Sequence, residues 1–319
     1  MARALTERGE ATRLWTWRAD HAADMQRDRE NHAFLPGFGL PPGIDVSSDL
    51  EHTLHGADTV IVVVPTAGFR DTLLLARPFM AADATLILAS KGIEPGSLML
   101  LSEVAGAVLG ASAEQRTVVL SGPSFAKEVA LGLPTSLVAA SHSAQLATSV
   151  QQRLSSDRLR VYAGDDPIGV QVGGALKNVI AIAAGACDGL GFGHNTRAAL
   201  ITRGLAEVAR LALAKGGHAL TLAGLAGLGD LVLTCTGELS RNRTLGYLLG
   251  RGKSLGDALA GLGHVAEGVV TADSAYHLAE RLGVDLPISG EVYRVLFEQK
   301  PVSEAVRAVL SRPLKKESP

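Results

Sequence analysis

Residues 59–90 read TVIVVVPTAGFRDTLLLARPFMAADATLILAS. Two aliphatic, β-branched runs, Thr59–Val64 and Thr85–Ser90, flank a stretch, Phe69–Met80, whose apolar side chains recur at helical spacing. Short continuous apolar runs of this kind mark strands buried on both faces. Strand, helix, strand within about 30 residues is a βαβ unit, with a right-handed crossover. The pattern extends outward to Thr12–Trp17 upstream and to Thr117–Ser121, Ser136–Ala140 and Arg160–Tyr162 downstream, with another helix over Leu98–Leu109. All six runs read as parallel strands. The expectation for residues 1–164 is therefore a Rossmann-like, doubly wound α/β sheet.

Beyond Gly164 the strand signal stops. Asp165-Asp166-Pro167 offers acidic caps and a proline suited to a first helical position. The following apolar periods predict an all-helical domain over residues 165–319, with helices over Pro167–Cys187, Thr196–Lys215, Arg243–Leu249, Ser254–Ala260, Val269–Leu282, Ser289–Phe297 and Ser303–Leu310. The tail from Lys315 reads as frayed.

A dinucleotide-binding half opens with a strand running into G-x-G-x-x-G, whose glycines let a pyrophosphate approach a helix N-terminus. Here the first segment, Ala2–Arg8, instead reads as the helix that follows such a loop, stopping at Gly9. Later strings, Gly191-Phe-Gly193, Gly227-Leu-Gly229 and Gly261-Leu-Gly263, fall between helices and read as turn or helix-end glycines. In the strand order 3-2-1-4-5-6 the first strand is central, so its absence predicts two unpaired inner edges. Met1 thus reads as an internal start, with about 12 to 14 residues expected upstream.

The 319 residues are 47% hydrophobic and 19% charged, and 30 Lys+Arg against 32 Asp+Glu leave a formal charge of -2. That balance argues against nucleic acid and anionic membrane surfaces as partners. The uninterrupted apolar runs fall short of the ~18 residues a membrane span requires, and the N-terminus lacks a secretory h-region. A cytoplasmic setting is expected. Cys187 and Cys235 belong to no Cys-x-x-Cys pair, so they read as small core residues and no metal site is expected.

Within Pro167–Cys187, Lys177 interrupts a helix apolar on nearly every side. Steps of three and four place it on a stripe with Gly173, Gly174, Ala181 and Ala184, where small side chains leave room for a ligand. Burial lowers an amine's pKa toward neutrality, as proton transfer requires; a snorkelling lysine is the alternative. Asn178 lies off that stripe and reads as orienting a neighbour or capping a backbone group. Asp230 follows a glycine-rich turn, with Thr234 one turn later, and reads either as a partner of the lysine or as a helix cap. Ser240 reads as an N-cap with Arg241 and Asn242 in the first turn, an arrangement suited to a phosphate or to ordinary solvated arginines. Lys91, and Gly122 with Ser124, fall at carboxyl ends of strands, where ligands of doubly wound sheets bind.

Gly122-Pro-Ser-Phe-Ala-Lys-Glu128, Gln171-Val-Gly-Gly-Ala-Leu-Lys-Asn178, Gly227-Leu-Gly-Asp230 and Ser240-Arg-Asn-Arg243 together resemble, in order and spacing, the bacterial NAD(P)-dependent glycerol-3-phosphate dehydrogenases. Arg27-Asp-Arg-Glu-Asn31, Phe34-Leu-Pro36, Val62-Val-Val-Pro65, Ser90-Lys-Gly92 and Gly189-Leu-Gly-Phe-Gly193 extend the likeness from Ala2 to about Leu310. The resemblance implies reversible reduction of dihydroxyacetone phosphate to sn-glycerol 3-phosphate by NADH or NADPH, the step supplying the glycerol backbone of phospholipids. It implies Lys177 as proton donor and acceptor with Asp230 beside it. The substrate contacts it implies are Lys91, Gly122, Ser124, Lys177, Asp230, Ser240, Arg241 and Asn242. The cofactor contacts are Trp17, Arg18, Lys91, Ala126, Arg241, Val265 and Glu267. Trp17 stands where the family commonly carries a basic or polar residue. Arg18 leans toward NADPH, with Asp20 a counter-signal. The competing readings are another Rossmann-plus-helical dehydrogenase of a phosphorylated or carboxylated hydroxy compound, or an inactive remnant lacking its first strand. A homodimer face in the helical half is allowed by this reading, and nothing in the pattern marks one.

Overall fold

The computed structural model describes residues 1–262 and 266–313. The chain divides into two compact units, one made of Met1–Val64, Gly68–Ser90 and Ser102–Pro167, the other of Pro65–Ala67, Lys91–Leu101 and the chain from Ile168 on.

The first unit holds β1 (Thr12–Trp15), β2 (Glu30–Asn31), β3 (Leu35–Gly39), β4 (Ile44–Ser47), β5 (Thr59–Val62), β6 (Thr85–Leu88), β7 (Thr117–Ser121), β8 (Thr135–Ala140) and β9 (Leu159–Gly164). Its helices are α1 (Ala2–Thr6), α2 (Ala19–Asp28), α3 (Leu50–Leu54), α4 (Phe69–Ala76), α5 (Leu101–Leu109), which begins on the last residue of a second-unit segment, α6 (Ser112–Gln115), α7 (Ala126–Ala130) and α8 (Ala144–Leu154). β1 pairs in parallel with β4, β2 and β3 form a hairpin, and β5-β6-β7-β8-β9 form one sheet.

Of the six expected strands β1, β5, β6 and β9 pair only in parallel, but the all-parallel expectation needs correcting, because β7 and β8 are antiparallel to each other. Their connection, residues 122–134, carries only the five-residue α7, too little helix to return the chain along the sheet. β1 and β5 also stop two residues early, where their partner strands end opposite Trp15 and Val62. Trp17 and Val63 consequently project past the ladder, 77% and 63% exposed. The helix expected over Phe69–Met80 breaks at Ala76 into a 3₁₀ turn, Arg77–Phe79, because Pro78 has no N–H to continue it.

Among the described residues β1 pairs only with β4, and β5 only with β6. The first unit therefore has two apolar clusters. The larger gathers Ile87, Val118, Leu120, Leu137 and Val161, with Leu5 of α1 and Met1 just before it packed on it. The smaller gathers Ala22, Met25, Ile44 and Val46, with Ala2 of the same helix packed on it. Arg153 on α8 adds a polar tie, donating to Glu10 just before β1 and to Asp58 and Thr59 at the start of β5.

The second unit is helical: α9 (Pro167–Gly189), α10 (His194–Ala214), α11 (Asp230–Thr236), α12 (Arg241–Gly250), α13 (Leu255–Leu262), α14 (Glu267–Leu282), α15 (Pro287–Phe297) and α16 (Val302–Leu310). By length and composition α9 could cross a bilayer, yet it is the buried axis of this unit, with Val172, Leu176, Val179 and Ile180 inaccessible. Helix α12 crosses it at backbone contact. A Cβ on Gly185 would fall 1.9 Å from the Arg243 carbonyl oxygen, and one on Gly246 would fall 1.9 Å from that of Ile182. Glycine four residues further on in each helix, Gly189 and Gly250, continues the same close approach.

On α10, the buried Glu207 carboxylate caps α15. It accepts from the Ile288 and Ser289 backbone N–H groups at 2.6 and 3.0 Å and from the Ser289 hydroxyl at 3.0 Å. Burial pushes its carboxyl from 4.5 up to about 7, against the pull of those donors. A folded-state value above the unfolded one means a stability contribution that is full below about 4.5 and lost as pH rises through about 7. Replacing Glu207→Gln should cost about 1–3 kcal/mol of stability under acidic conditions. Chemical denaturation of both proteins across this range should show the difference narrowing toward alkaline pH; a gap that widens would contradict the raised value.

Candidate active site

Lys177 projects from the middle of α9 with its side chain 11% exposed, and its Nζ donates to Asp230 Oδ1 at 2.5 Å. Lys91 Nζ donates to the other oxygen, Oδ2, at 2.6 Å. Asp230 is 1% exposed, so a single buried carboxylate receives one ammonium on each oxygen. The sequence left open whether Asp230 caps a helix. It is the first residue of α11, but its side chain makes no cap bond and turns to the lysines instead. Thr234, one turn on, donates chiefly to the Asp230 backbone carbonyl at 2.6 Å and weakly to the carboxylate at 3.4 Å.

Absent side chains bring Asp230 to this place. The segment Leu225–Gly229 winds one π-helical turn into α11. A Cβ on Gly173 of α9 would lie 2.7 Å from the Ala226 carbonyl oxygen, and one on Gly227 would lie 2.2 Å from that of Leu222. Gly173 lets the turn press against α9, and Gly227 lets the turn fold back on Leu222. The small-residue stripe beside Lys177 therefore serves backbone contact at Gly173.

Burial, reinforced by the Lys91 charge, lowers the Lys177 amine from 10.5 to about 8, although Asp230 pulls the other way. Burial alone would raise the Asp230 carboxyl, but the two lysine charges and their hydrogen bonds bring it below its ordinary value. Near neutrality the trio thus holds a carboxylate and an ammonium with a modest affinity for its last proton, which suits reversible proton transfer.

The residue after Lys177 joins the residue after Arg241. Asn242 Nδ2 donates to Asn178 Oδ1 at 2.9 Å, and Asn242 Oδ1 accepts from the Gly268 backbone N–H at 3.0 Å. Asn178 therefore orients a neighbour, as its off-stripe position suggested. Ser240 caps α12, accepting from the Arg243 N–H at 3.2 Å. Arg241 begins that helix, is exposed, and makes no hydrogen bond or ion pair among the described residues. A free guanidinium beside a helix N-terminus is a ready anion site.

Glu267 opens α14, one residue before the Gly268 N–H just described. Val265 lies outside the described residues, as does the tail expected to fray. The remaining predicted residues belong to the first unit. Gly122 and Ser124 follow β7, with Gly122 at φ +139, where a Cβ would meet the Ser136 carbonyl oxygen at 3.0 Å. The Ser124 hydroxyl donates to the Gly122 carbonyl at 3.1 Å, and Ala126 starts α7. Beyond β1, Trp17 stands exposed and Arg18 binds Asp20 through Nε and Nη2. The Arg18 partnership holds the Asp20 carboxyl down to about 2.

Family models describe this combination. The one for the N-terminus of NAD-dependent glycerol-3-phosphate dehydrogenase matches residues 1–147, and the one for its C-terminus matches residues 166–307. The chain belongs to this family. It is 49% identical over 317 residues to glycerol-3-phosphate dehydrogenase [NAD(P)+] of Geobacter sulfurreducens, covering 99% of this chain and 95% of that protein. It is 50% identical over 317 residues to the enzyme of the same name from Trichlorobacter lovleyi, with the same coverage. The crystal structure of glycerol-3-phosphate dehydrogenase from Coxiella burnetii superposes with a TM-score of 0.93 at 40% identity, covering 98% of this chain and 94% of that one. The Rossmann-like unit followed by a helical unit is thus the family's fold.

The sequence reading missed Asp188, whose carboxylate holds both Arg197 and Arg243. An Asp in the last turn of an apolar helix was the available signal. In Asp230→Asn the two lysines lose their shared anion, so the Lys177 amine should titrate still further below its ordinary value. NMR of isotopically methylated lysines would follow it, and an upward shift would show that the carboxylate is not its principal counterion.

Proposed function

We propose that this protein catalyses the reversible reduction of dihydroxyacetone phosphate to sn-glycerol 3-phosphate with NADH or NADPH. The observation that carries the reading is the buried Lys177 amine, held on Asp230 and one residue from the Asn178–Asn242 bond whose far side begins at the free Arg241.

The first unit fits a dinucleotide in three respects. Exposed apolar side chains, Trp17 and Val63, stand past the carboxyl ends of β1 and β5. The Ser121 hydroxyl at the end of β7 is buried without a partner. Gly122 beyond it adopts a backbone that favours glycine. Trp17, Arg18 and Ala126 would hold the cofactor in this unit, and Lys91, Arg241, Val265 and Glu267 are the corresponding positions in the helical unit. When bound, the reduced cofactor supplies the hydride that converts the ketone carbon to an alcohol.

The chain's own residues then have separate tasks. Arg241 and the amino end of α12, capped by Ser240 and steadied by Asn242, take the phosphate dianion. Gly122 and Ser124 are further substrate contacts in this reading. Lys91 and Lys177 present ammonium groups to the carbonyl oxygen, and Lys177 delivers its proton as that oxygen gains electron density. Asp230 stays ionised and keeps the resulting neutral amine oriented. In the reverse direction the Lys177 amine takes the hydroxyl proton. The product is the glycerol unit of glycerophospholipids.

Oxidation of NADPH or NADH dependent on dihydroxyacetone phosphate tests the assignment directly. Reduction needs the ammonium form, so kcat/KM should fall as pH rises through about 8, while alcohol oxidation needs the free amine and should rise through the same value. Lys177→Met should abolish turnover and leave phosphate affinity nearly intact; retained activity would remove Lys177 from the mechanism. Arg241→Ala should weaken substrate binding by about 1.5–3 kcal/mol, the range for hydrogen bonds to a charged group, with the loss confined to phosphorylated ligands.

A further inference from the structure

We propose that Asp188 is the positioning residue of the phosphate site, acting through Arg243 to fix the first turn of α12 and to leave Arg241 as the guanidinium open to an anion. The proposal rests on the phosphate role of Arg241 given above.

Asp188 lies in the last turn of α9, eleven residues beyond Lys177 and so on nearly the same stripe, about 16 Å along the axis. Its side chain is 7% exposed and both oxygens are used. Oδ1 accepts from Arg197 Nε and Nη2 at 2.9 and 2.5 Å. Oδ2 accepts from Arg243 Nε at 3.0 Å, with Nη2 at 2.8 Å. Four charge-assisted contacts on one largely buried carboxylate fix the orientation of the two planar forks.

Arg241 and Arg243 are two residues apart on the same first turn, and both are cations that an incoming phosphate could attract. Asp188 removes one of them from the competition. It also anchors α12 to α9 at a second point, the first being Asn178–Asn242. With the helices already in backbone contact at Gly185 and Gly246, two side-chain ties leave the turn carrying Arg241 little freedom to rotate. Without the Asp188 charge, Arg243 would be released beside the anion site as a second, badly placed fork.

The test compares dihydroxyacetone phosphate with dihydroxyacetone, which lacks the phosphate. In Asp188→Asn, KM for the phosphorylated substrate should rise about tenfold with kcat within about twofold, and kcat/KM for dihydroxyacetone should stay within about twofold of the parent protein. Arg243→Lys keeps the charge but loses the fork and should show the same KM effect. Asp188→Asn combined with Arg243→Lys should be no worse than either alone, because both changes remove one contact. Equal losses for the two substrates would show a merely structural role and overturn the proposal, as would an unchanged KM or additive effects. If Asp188→Asn does not fold, the Arg243→Lys comparison decides alone, and a parental KM there overturns the proposal. Failure of the phosphate reading itself looks different: the unsubstituted protein would then not discriminate between the two substrates.

Discussion

The carboxylate of Asp230 is almost wholly removed from water and remains ionised because an ammonium group sits on each of its oxygens. Neither lysine would be stable alone in that setting, since an unpaired buried charge costs several kcal/mol. The cluster nevertheless carries one positive charge more than it neutralises. Burial, reinforced by that imbalance, lowers the Lys177 amine to about 8 and gives the site both an acid and a base form near neutrality. The chemistry therefore follows from a stoichiometry, two amines to one acid, enclosed by helices.

Much of the helical unit can be understood as the means of keeping that enclosure closed. α9 supplies the amine, and the elements that meet it approach along glycines, with Gly173 admitting the turn before Asp230 and Gly185 and Gly246 admitting α12. Side chains at these positions would force the backbones apart and draw the charged groups out of register. Polar contacts then set the register along α9, the Asn178–Asn242 pair beside the amine and the Asp188–Arg243 pair near the helix end. The first unit solves a different problem. Its strands form three separate sheets among the described residues, and α1 and Arg153 tie the β1-β4 pair to the five-stranded one.

The strand runs and the helices from Pro167 onward were legible because buried runs and 3.6-residue periods write themselves into composition. α2 and β4 were not. In α2 only Ala22 and Met25 are buried among polar neighbours, and β4 alternates buried with half-buried residues over just four positions. The antiparallel β7–β8 pair was equally hidden, because strand direction depends on what the connection can span and an apolar run looks the same either way round. The candidate residues Lys177 and Asp230 were recognisable one at a time. Helical spacing rules could not supply their 2.5 Å contact, because the two lie 53 positions apart along the chain.

By itself the sequence determined the order of the units, the buried helix with one amine in it, the capped turn bearing Arg241, and the family whose motifs it carries. Only the tertiary structure decided which charges meet. Asp230 could have capped α11, and Arg243 could have stood in solvent beside Arg241. Local rules leave such choices open because the competing interactions differ little in free energy on an isolated segment. Packing settles them, since a buried charge must find its counterion within reach of a side chain, and the glycine contacts fix which partner that is.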